Sequence, residues 1–389
     1  MSVILRSLLA MSAIAATGCT VLALPPADLS PAEKTIAAAQ KAIADNPKNV
    51  DAYNRLALGL ARRARETSDD SFYNKADDAI VRSLELAPDN FEAQKMRVWV
   101  LLGKHEFQQA LDVAGPLNKK MPDDLLVYGF LTDANAELGN YAEAEKACQW
   151  MLDLRPGNIP AFTRAAYLRE LFGDIEGAIE LMSKAYERTP LLEIEDRAWI
   201  LTQLGHLEFV AGRNENAEQL LQQALKLFPN YHYALGNLAR LRSAQNKHGD
   251  AVDLLKRRYD AAPHPENLYA LAEELDRAGH QAEAKAAFVE FETRALKESS
   301  KWDNSNRELV FYYANHAHKP ADALRIAQLE IARRHDVYTL DVYAWALHVN
   351  DRNSEAIGYM NLALAVGTKD PEVLKRAAVI GSKSPISKN

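Results

Sequence analysis

Apolar and polar residues recur along most of the chain with the spacing of an α-helix, in short segments that end at a glycine or a proline. The segment from Gly139 to Pro190 contains this pattern twice. In it, three pairs of identical residues lie 34 positions apart, namely Gly139 and Gly173, Ala144 and Ala178, and Pro156 and Pro190. A fixed interval of this length predicts pairs of helices that stack on one another in series.

The same interval extends over most of the chain. Alanines at one phase of the repeat are separated by 33, 34 or 39 positions and stand at Ala76, Ala110, Ala144, Ala178, Ala217, Ala251, Ala284, Ala323 and Ala356. Prolines at a second phase stand at Pro47, Pro88, Pro122, Pro156, Pro190, Pro229 and Pro263. We interpret the alanines as points where the two helices of a pair approach closely. The prolines end helices, because proline has no N–H to donate.

The pattern resembles the tetratricopeptide repeat, in which Leu-Gly and an aromatic residue mark the first helix, a small alanine opens the second, and a proline closes the unit. One such set is Leu204, Gly205, Ala217, Leu221, Ala224 and Pro229, and another is Phe162, Gly173, Ala178, Met182, Ala185 and Pro190. The resemblance covers roughly residues 32–365. It implies an all-α fold, a right-handed superhelical solenoid of antiparallel helix pairs with about nine repeats.

The two 39-residue intervals divide the predicted array into three blocks. We expect residues 32–190 to hold an N-terminal capping helix and repeats 1–4, residues 191–298 to hold repeats 5–7, and residues 299–380 to hold repeats 8 and 9 with a final capping helix. Residues 24–31 are predicted to form a linker and residues 381–389 a tail. Within the first repeat, an insertion from Arg63 to Phe72 predicts a lengthened turn between the helices.

The first 23 residues differ in composition from the rest. One positive charge, on Arg6, precedes an uninterrupted run of small and apolar residues from Ser7 to Ala16. The run is too short to span a bilayer comfortably, and it is typical of the core of a signal peptide. The sequence therefore predicts export to the cell envelope, with the periplasm and the outer membrane as the expected surroundings.

Two processing sites compete at the end of this segment. Ala16-Thr17-Gly18-Cys19 resembles a bacterial lipobox, which implies lipidation of Cys19 and a membrane anchor, although leucine is usual where Ala16 stands. Val21-Leu22-Ala23 is a small-residue cleavage motif that would release the chain without an anchor. We favour the lipoprotein, because cysteine is otherwise almost unused in the chain.

Composition and motifs argue against several classes of function. The net charge of −7 and the pI of about 5.9 do not indicate a nucleic-acid-binding surface. No phosphate-binding glycine loop, zinc-protease motif or nucleophile motif is present, so we predict no cofactor, no metal site and no enzyme activity. Cys148 falls at an inward-facing helix position and is interpreted as a core residue. His316 and His318 are two apart, which is a poor spacing for joint ligation from one helix.

In the family that the chain resembles, the first helix of each repeat lines a concave groove. Transferring that register predicts a partner-binding groove formed by Trp99, Tyr167, Trp199, His206, Phe209, Tyr233, Arg240 and Tyr269. Tyrosine, tryptophan and arginine dominate the residues that carry binding energy in protein interfaces.

We therefore expect a non-enzymatic interaction scaffold of the cell envelope that binds a protein or peptide partner in this groove. An envelope protein that binds carbohydrate or peptidoglycan, with the aromatic residues as stacking platforms, is the alternative. Enzyme activity is the third and least favoured of the functions considered for this chain.

Overall fold

The computed structural model of the chain describes residues 29–381, and every regular element in that range is a helix. The first ten are α1 (Pro31–Asp45), α2 (Val50–Thr67), α3 (Ser71–Leu86), α4 (Phe91–Gly103), α5 (Phe107–Lys120), α6 (Leu125–Leu138), α7 (Tyr141–Leu154), α8 (Ile159–Leu171), α9 (Ile175–Arg188) and α10 (Ile194–Val210). The next ten are α11 (Asn214–Leu227), α12 (His232–Ala244), α13 (His248–Ala261), α14 (Pro265–Arg277), α15 (Gln281–Glu298), α16 (Asn306–Phe311), α17 (Pro320–Ile331), α18 (Val337–His348), α19 (Asn353–Ala365) and α20 (Pro371–Ile380). A π-helical turn, Tyr312–His316, continues α16.

Consecutive helices pack as pairs. Each even-numbered helix from α2 to α18 packs against the odd-numbered helix that follows it, which gives nine pairs within the described range. The two unpaired helices cover the ends of the stack, because α1 packs on α2 while α20 packs on α18 and α19. The predicted all-α solenoid of about nine repeats is confirmed. We call the even-numbered helices the inner helices, because five of them line the interior cavity described below.

The alanines of the repeat mark the places where helices come closest. All nine are buried, and none is more than 2% exposed to solvent. The close approach is visible at Gly205 of α10, where an added Cβ would lie 3.3 Å from the carbonyl oxygen of Ala217. Cores of this density leave no room for a larger side chain at such positions.

An asparagine or aspartate caps each of the first four inner helices. The side-chain oxygen of this residue accepts a hydrogen bond of 2.7–3.1 Å from the backbone N–H three positions later, at Asn49, Asn90, Asp124 and Asn158. Each stands two residues after a closing proline of the repeat. The proline ends one helix and the cap begins the next, so this short segment sets the turn between repeats.

Two departures from the regular repeat lengthen helices. The insertion predicted as a long turn from Arg63 to Phe72 is instead absorbed largely by α2, which continues to Thr67 and leaves only residues 68–70 between helices. The prediction of a lengthened turn was therefore wrong. The continuation is favoured because Ala64 and Glu66 of the added turn are buried against α1 and its N-terminus. In the same way, α10 has 17 residues where α8 has 13.

The later repeats stack directly on the earlier ones. The N–H of His335 donates to the carbonyl oxygen of Leu138 at 3.2 Å, and the hydroxyl of Tyr141 accepts a 2.9 Å hydrogen bond from the N–H of Val337. These bonds join the turn between α6 and α7 to the turn between α17 and α18, eleven helices further along the superhelix. Consecutive superhelical turns are therefore in contact.

Some predictions lie outside the described residues. They are the signal peptide or lipobox region of residues 1–23 with Cys19, nearly all of the linker at residues 24–31, and the tail from residue 382 onward. Among the helices of residues 29–381, none has both the length and the apolar character needed to cross a bilayer.

Candidate functional site

Three of the predicted groove residues meet in one cavity. Trp99 of α4, Tyr167 of α8 and Trp199 of α10 all line a cavity of about 700 Å³. Its walls also include residues of α2 and α6, so five successive inner helices contribute. A volume of this size lies within the range of roughly 300–1,000 Å³ that is common for ligand sites. The structure thus brings together aromatic side chains that are far apart in the sequence.

The wall of this cavity is mainly apolar. Besides the three aromatic residues, the apolar side chains are those of Leu102, Leu126, Phe130, Ile159, Pro160, Pro190 and Ile200. None of these was predicted from the sequence as a groove residue, although two follow from the repeat. Leu126 and Phe130 lie on α6, two turns and one turn before Asp133, which stands 34 positions from both Trp99 and Tyr167. The inner register of the repeat was therefore the signal that could have identified them.

The charged side chains of the cavity are paired with one another. Arg164 donates to Asp133 at 2.6 Å and also to the carbonyl oxygens of Gly129 and Pro160 at 3.0 and 3.1 Å. Arg65 bonds Asp196 at 2.7 Å. Arg62 lies 3.8 Å from Glu193. Three arginines face three carboxylates, so the cavity carries no net formal charge.

Tyr167 lies at the inner end of this surface. Its hydroxyl donates to Glu137 at 3.3 Å. Burial raises the pKa of the Tyr167 hydroxyl well above its usual value, and the negative charge of Glu137 adds to the effect. The hydroxyl is therefore neutral, and Tyr167 presents its ring to the cavity as an apolar surface with a fixed orientation.

A second group of predicted residues lies further along the superhelix. Nε2 of His206 is 2.7 Å from a carboxylate oxygen of Glu170. The guanidinium of Arg240 stacks on Phe209, with 5.3 Å from its carbon to the ring centroid, and lies 3.8 Å from Asp370. These side chains are half-buried and already have partners. They join inner helices to one another and to the segment before α20, and they do not line the cavity of Trp99.

The remaining two predicted residues are separate from both groups. The ring of Tyr233 packs against His232, with 3.9 Å between centroids. Tyr269 is only 6% exposed, donates to Glu273 at 2.9 Å and packs against Phe291. Tyr269 is thus part of the hydrophobic core between α14 and α15, where it has no free surface for a partner.

Metal-ligating side chains are not clustered in the described part of the chain, and its one cysteine is buried. No cluster of three or more histidine, cysteine, aspartate or glutamate side chains between residues 29 and 381 has an arrangement that could hold a metal ion. Cys148 is 3% exposed, and burial raises the pKa of its thiol to about 11, so the thiol is protonated at neutral pH. The chemistry that this site supports is non-covalent contact with an apolar surface.

Comparison with known proteins supports the repeat architecture. A family model described as tetratricopeptide repeat matches residues 196–264, which include most of α10 and all of α11 to α13. No curated protein sequence matches the chain.

Among solved structures, the APC/C hetero-tetramer Cut9–Hcn1 is similar with a TM-score of 0.54 at 13% identity, over 88% of this chain and 58% of the compared chain. This chain therefore spans little more than half the length of that one. The human IFIT1 dimer with m7Gppp-AAAA has a TM-score of 0.54 at 13% identity, over 86% of this chain and 85% of the compared chain. PilW, described as a widely conserved type IV pilus biogenesis factor, gives a TM-score of 0.45 at 15% identity over 53% of this chain and 93% of its own. Identities this low establish similarity of fold alone.

Proposed function

Because this chain is a tetratricopeptide-repeat solenoid, we propose that it is a non-enzymatic scaffold of the cell envelope that binds a segment of a partner protein in its concave cavity. The observation that carries the proposal is the meeting of Trp99, Tyr167 and Trp199 in one apolar cavity. Each of the three rings is half-buried, because Trp99 and Trp199 each pack on the cores of two adjacent repeats and Tyr167 packs on a third core. The part of each ring that remains exposed faces the cavity.

The energetics of such a site favour binding of an apolar segment. Burial of apolar surface contributes about 25 cal/mol per Å², so a few side chains that enter the cavity supply most of the affinity. Aromatic residues at the centre of an interface commonly carry the largest share of the binding energy. Burial and packing already restrict the three rings, so little further entropy is lost when a partner binds.

The envelope location rests on the N-terminal sequence. The apolar run from Ser7 to Ala16 supports export, and Cys19 supports a lipid anchor. Metabolic labelling with a clickable fatty acid tests the anchor. We expect label on the full chain and none on the Cys19→Ala variant. Release of an unlabelled chain that begins after Ala23 would instead establish the alternative cleavage.

The binding site is tested by comparing two tryptophan variants. Trp199→Ala removes part of the cavity wall. Trp150→Ala removes a tryptophan that is 49% exposed and stacks on Tyr128 outside the cavity. We expect crosslinking in live cells, followed by mass spectrometry, to lose its main partner with Trp199→Ala and to keep it with Trp150→Ala.

A cavity-filling variant distinguishes the loss of a binding surface from a loss of partner capture that is caused by misfolding. Thr163 lines the cavity and is half-buried, so Thr163→Trp adds volume there and removes the 3.2 Å hydrogen bond from the Thr163 hydroxyl to the carbonyl oxygen of Pro160. Both cavity variants should keep the helical content of the wild type by circular dichroism. Unchanged partner capture in both of them would refute the assignment of this cavity.

A further inference from the structure

Two adjacent leucines are the most exposed large hydrophobic residues in the described part of the chain. Leu191 is 79% exposed and Leu192 is 89% exposed, and Ile194 beside them is 38% exposed. Single exposed apolar side chains are normal on protein surfaces. A contiguous group of them that is bordered by polar residues is typical of an interaction site.

The backbone holds these leucines in a fixed turn. The N–H of Glu193 donates to the carbonyl oxygen of Pro190 at 3.1 Å, which closes a turn with the two leucines at its central positions. Arg197 donates to the carbonyl oxygen of Thr189 at 2.8 Å and so fixes the preceding residue. Central turn positions usually carry glycine, proline, asparagine, aspartate or serine. We call residues 190–193 the leucine turn.

The leucine turn lies in an insertion that the repeat does not require. Ala178 and Ala217 are 39 positions apart, where most units have 33 or 34. The added residues form this turn and lengthen the start of α10. Because the regular units stack without them, the exposed leucines have no role in joining repeats four and five.

The leucine turn forms part of the rim of the aromatic cavity. Thr189, Pro190 and Glu193 line that cavity, and the two leucines lie between them in the chain. Trp199 is on the second turn of α10, directly after the leucine turn. The exposed leucines are therefore held in the chain between residues that line the cavity.

The charge of the cavity limits what can occupy it. All six charged side chains in its wall are ion-paired with each other or with Glu195, as shown by the contacts of Arg62, Arg65 and Arg164. A charged group that entered would lose its hydration without finding a free counter-charge, which is unfavourable. The complementary occupant has apolar and uncharged side chains.

We propose that the leucine turn is a second contact element for the partner, and that the partner segment is an uncharged, apolar stretch of polypeptide. The segment lies across Leu191 and Leu192 and continues into the cavity between Trp99, Tyr167 and Trp199. This inference rests on the proposed function and specifies the chemistry of the partner and its path over the rim.

Selection from a random peptide library displayed on phage, with the purified full chain as bait, tests the chemistry. We expect the enriched peptides to be rich in leucine, valine and alanine and free of charge at their centre. An empty selection, or one dominated by lysine, arginine, aspartate or glutamate, would overturn the proposal.

Variants then test the path of the selected peptides. The double change Leu191→Ser and Leu192→Ser should weaken their binding roughly tenfold, since each leucine loses apolar contact area. Because both side chains are exposed, the variant should keep its helical content and its melting temperature. The matched control is Leu362→Ser on α19, where the leucine is 57% exposed and far along the chain from the cavity. It should bind like the wild type.

The outcomes separate this inference from the proposed function. Weaker binding in both Trp199→Ala and the double leucine variant supports both. If only Trp199→Ala binds the peptides more weakly, the cavity remains assigned as the binding site and the leucine turn is not a contact element. Wild-type binding in both variants overturns both. If the wild type and Trp199→Ala form a dimer and the double leucine variant is a monomer, the leucine turn contacts a second copy of the chain. That result would also overturn the inference.

Discussion

At the scale of single residues, the spacing of small side chains determines how closely the helices pack. Ala144 of α7 has no exposed surface, whereas Ala142 on the same helix is exposed. Replacement of Ala144 by leucine forces extra volume into a packed interface, which costs roughly 1–3 kcal/mol. We expect Ala144→Leu to lower the urea midpoint measured by circular dichroism. Ala142→Leu serves as the control and should leave the midpoint nearly unchanged. Equal midpoints for both variants would contradict the assigned packing role.

A buried histidine makes stability depend on pH. His232 is 2% exposed, its Nε2 lies 2.9 Å from the carbonyl oxygen of Arg65, and burial lowers its pKa to about 4. In the unfolded chain the same group takes up a proton below pH 6.5. Between pH 6.5 and 4 the unfolded state therefore binds more protons, and stability falls as the pH falls.

We expect the His232→Gln variant to lose less stability than the wild type across that window. A pKa difference of this size corresponds to about 3 kcal/mol when it is fully expressed. Glutamine keeps a donor for the carbonyl oxygen of Arg65 and does not titrate. Urea unfolding at a series of pH values measures the difference, and parallel curves for the two proteins would show that His232 titrates normally when folded.

The sequence identified part of the cavity wall because two of its residues obey the repeat interval. Trp99 and Tyr167 share one inner register, and the structure places both at the cavity. Tyr269 was predicted by the same transfer, yet it packs against Phe291 because α14 and α15 form a larger core there. The register of the repeat predicts which side of a helix faces inward. It does not predict how much of that side is covered by a neighbouring helix.

At the scale of elements, prolines and capping residues mark the helix ends. Pro371 stands at the start of α20 (Pro371–Ile380), and the side chain of Asp370 caps that helix. The end of the first helix in repeat one was predicted wrongly, because the polar residues after Arg63 suggested a loop. Their role is visible only in three dimensions, where the extra turn of α2 meets the start of α1.

Glu66 explains why that extra turn forms. Its carboxylate accepts from the Ser30 hydroxyl at 2.6 Å, from the N–H of Ala32 at 3.3 Å and from Arg63 at 2.8 Å. Glu66 is only 7% exposed, and its removal leaves the buried N–H of Ala32 without a partner and takes one acceptor from Ser30 and from Arg63, although Arg63 keeps Glu33. We expect Glu66→Ala to destabilise α1 by about 1–3 kcal/mol.

Hydrogen exchange of the α1 amides measures this effect at the element concerned. Exchange in α1 should accelerate strongly in Glu66→Ala, while α11 to α15 change little, because interactions in repeat proteins extend mainly to neighbours. Glu85→Ala is the matched control, since that carboxylate is exposed and pairs only with Arg82 on the surface. Unaltered exchange in α1 would show that Glu66 does not hold the helix in place.

At the scale of the whole molecule, contact between superhelical turns decides how open the concave surface is. Gly139 lies at the point of contact with a φ of +84°, and a Cβ there would stand 2.6 Å from the carbonyl oxygen of His335. The two superhelical turns can therefore approach each other this closely only because the residue at position 139 has no side chain. The same contact brings Glu137, the partner of Tyr167, within 3.6 Å of Arg334.

Gly139→Ala is expected to separate the turns, and Gly212→Ala provides a matched control. Gly212 also has a left-handed φ, of +78°, but a Cβ there would meet nothing within 4 Å. In both variants, alanine in the left-handed backbone conformation destabilises the folded state by roughly 1 kcal/mol. Only Gly139→Ala adds a collision with the next turn of the superhelix. Its radius of gyration in small-angle scattering should increase, and the amide of His335 should exchange faster. If both variants scattered alike, the contact between turns would not control the shape of the solenoid, and access to the cavity would depend on the inner helices alone.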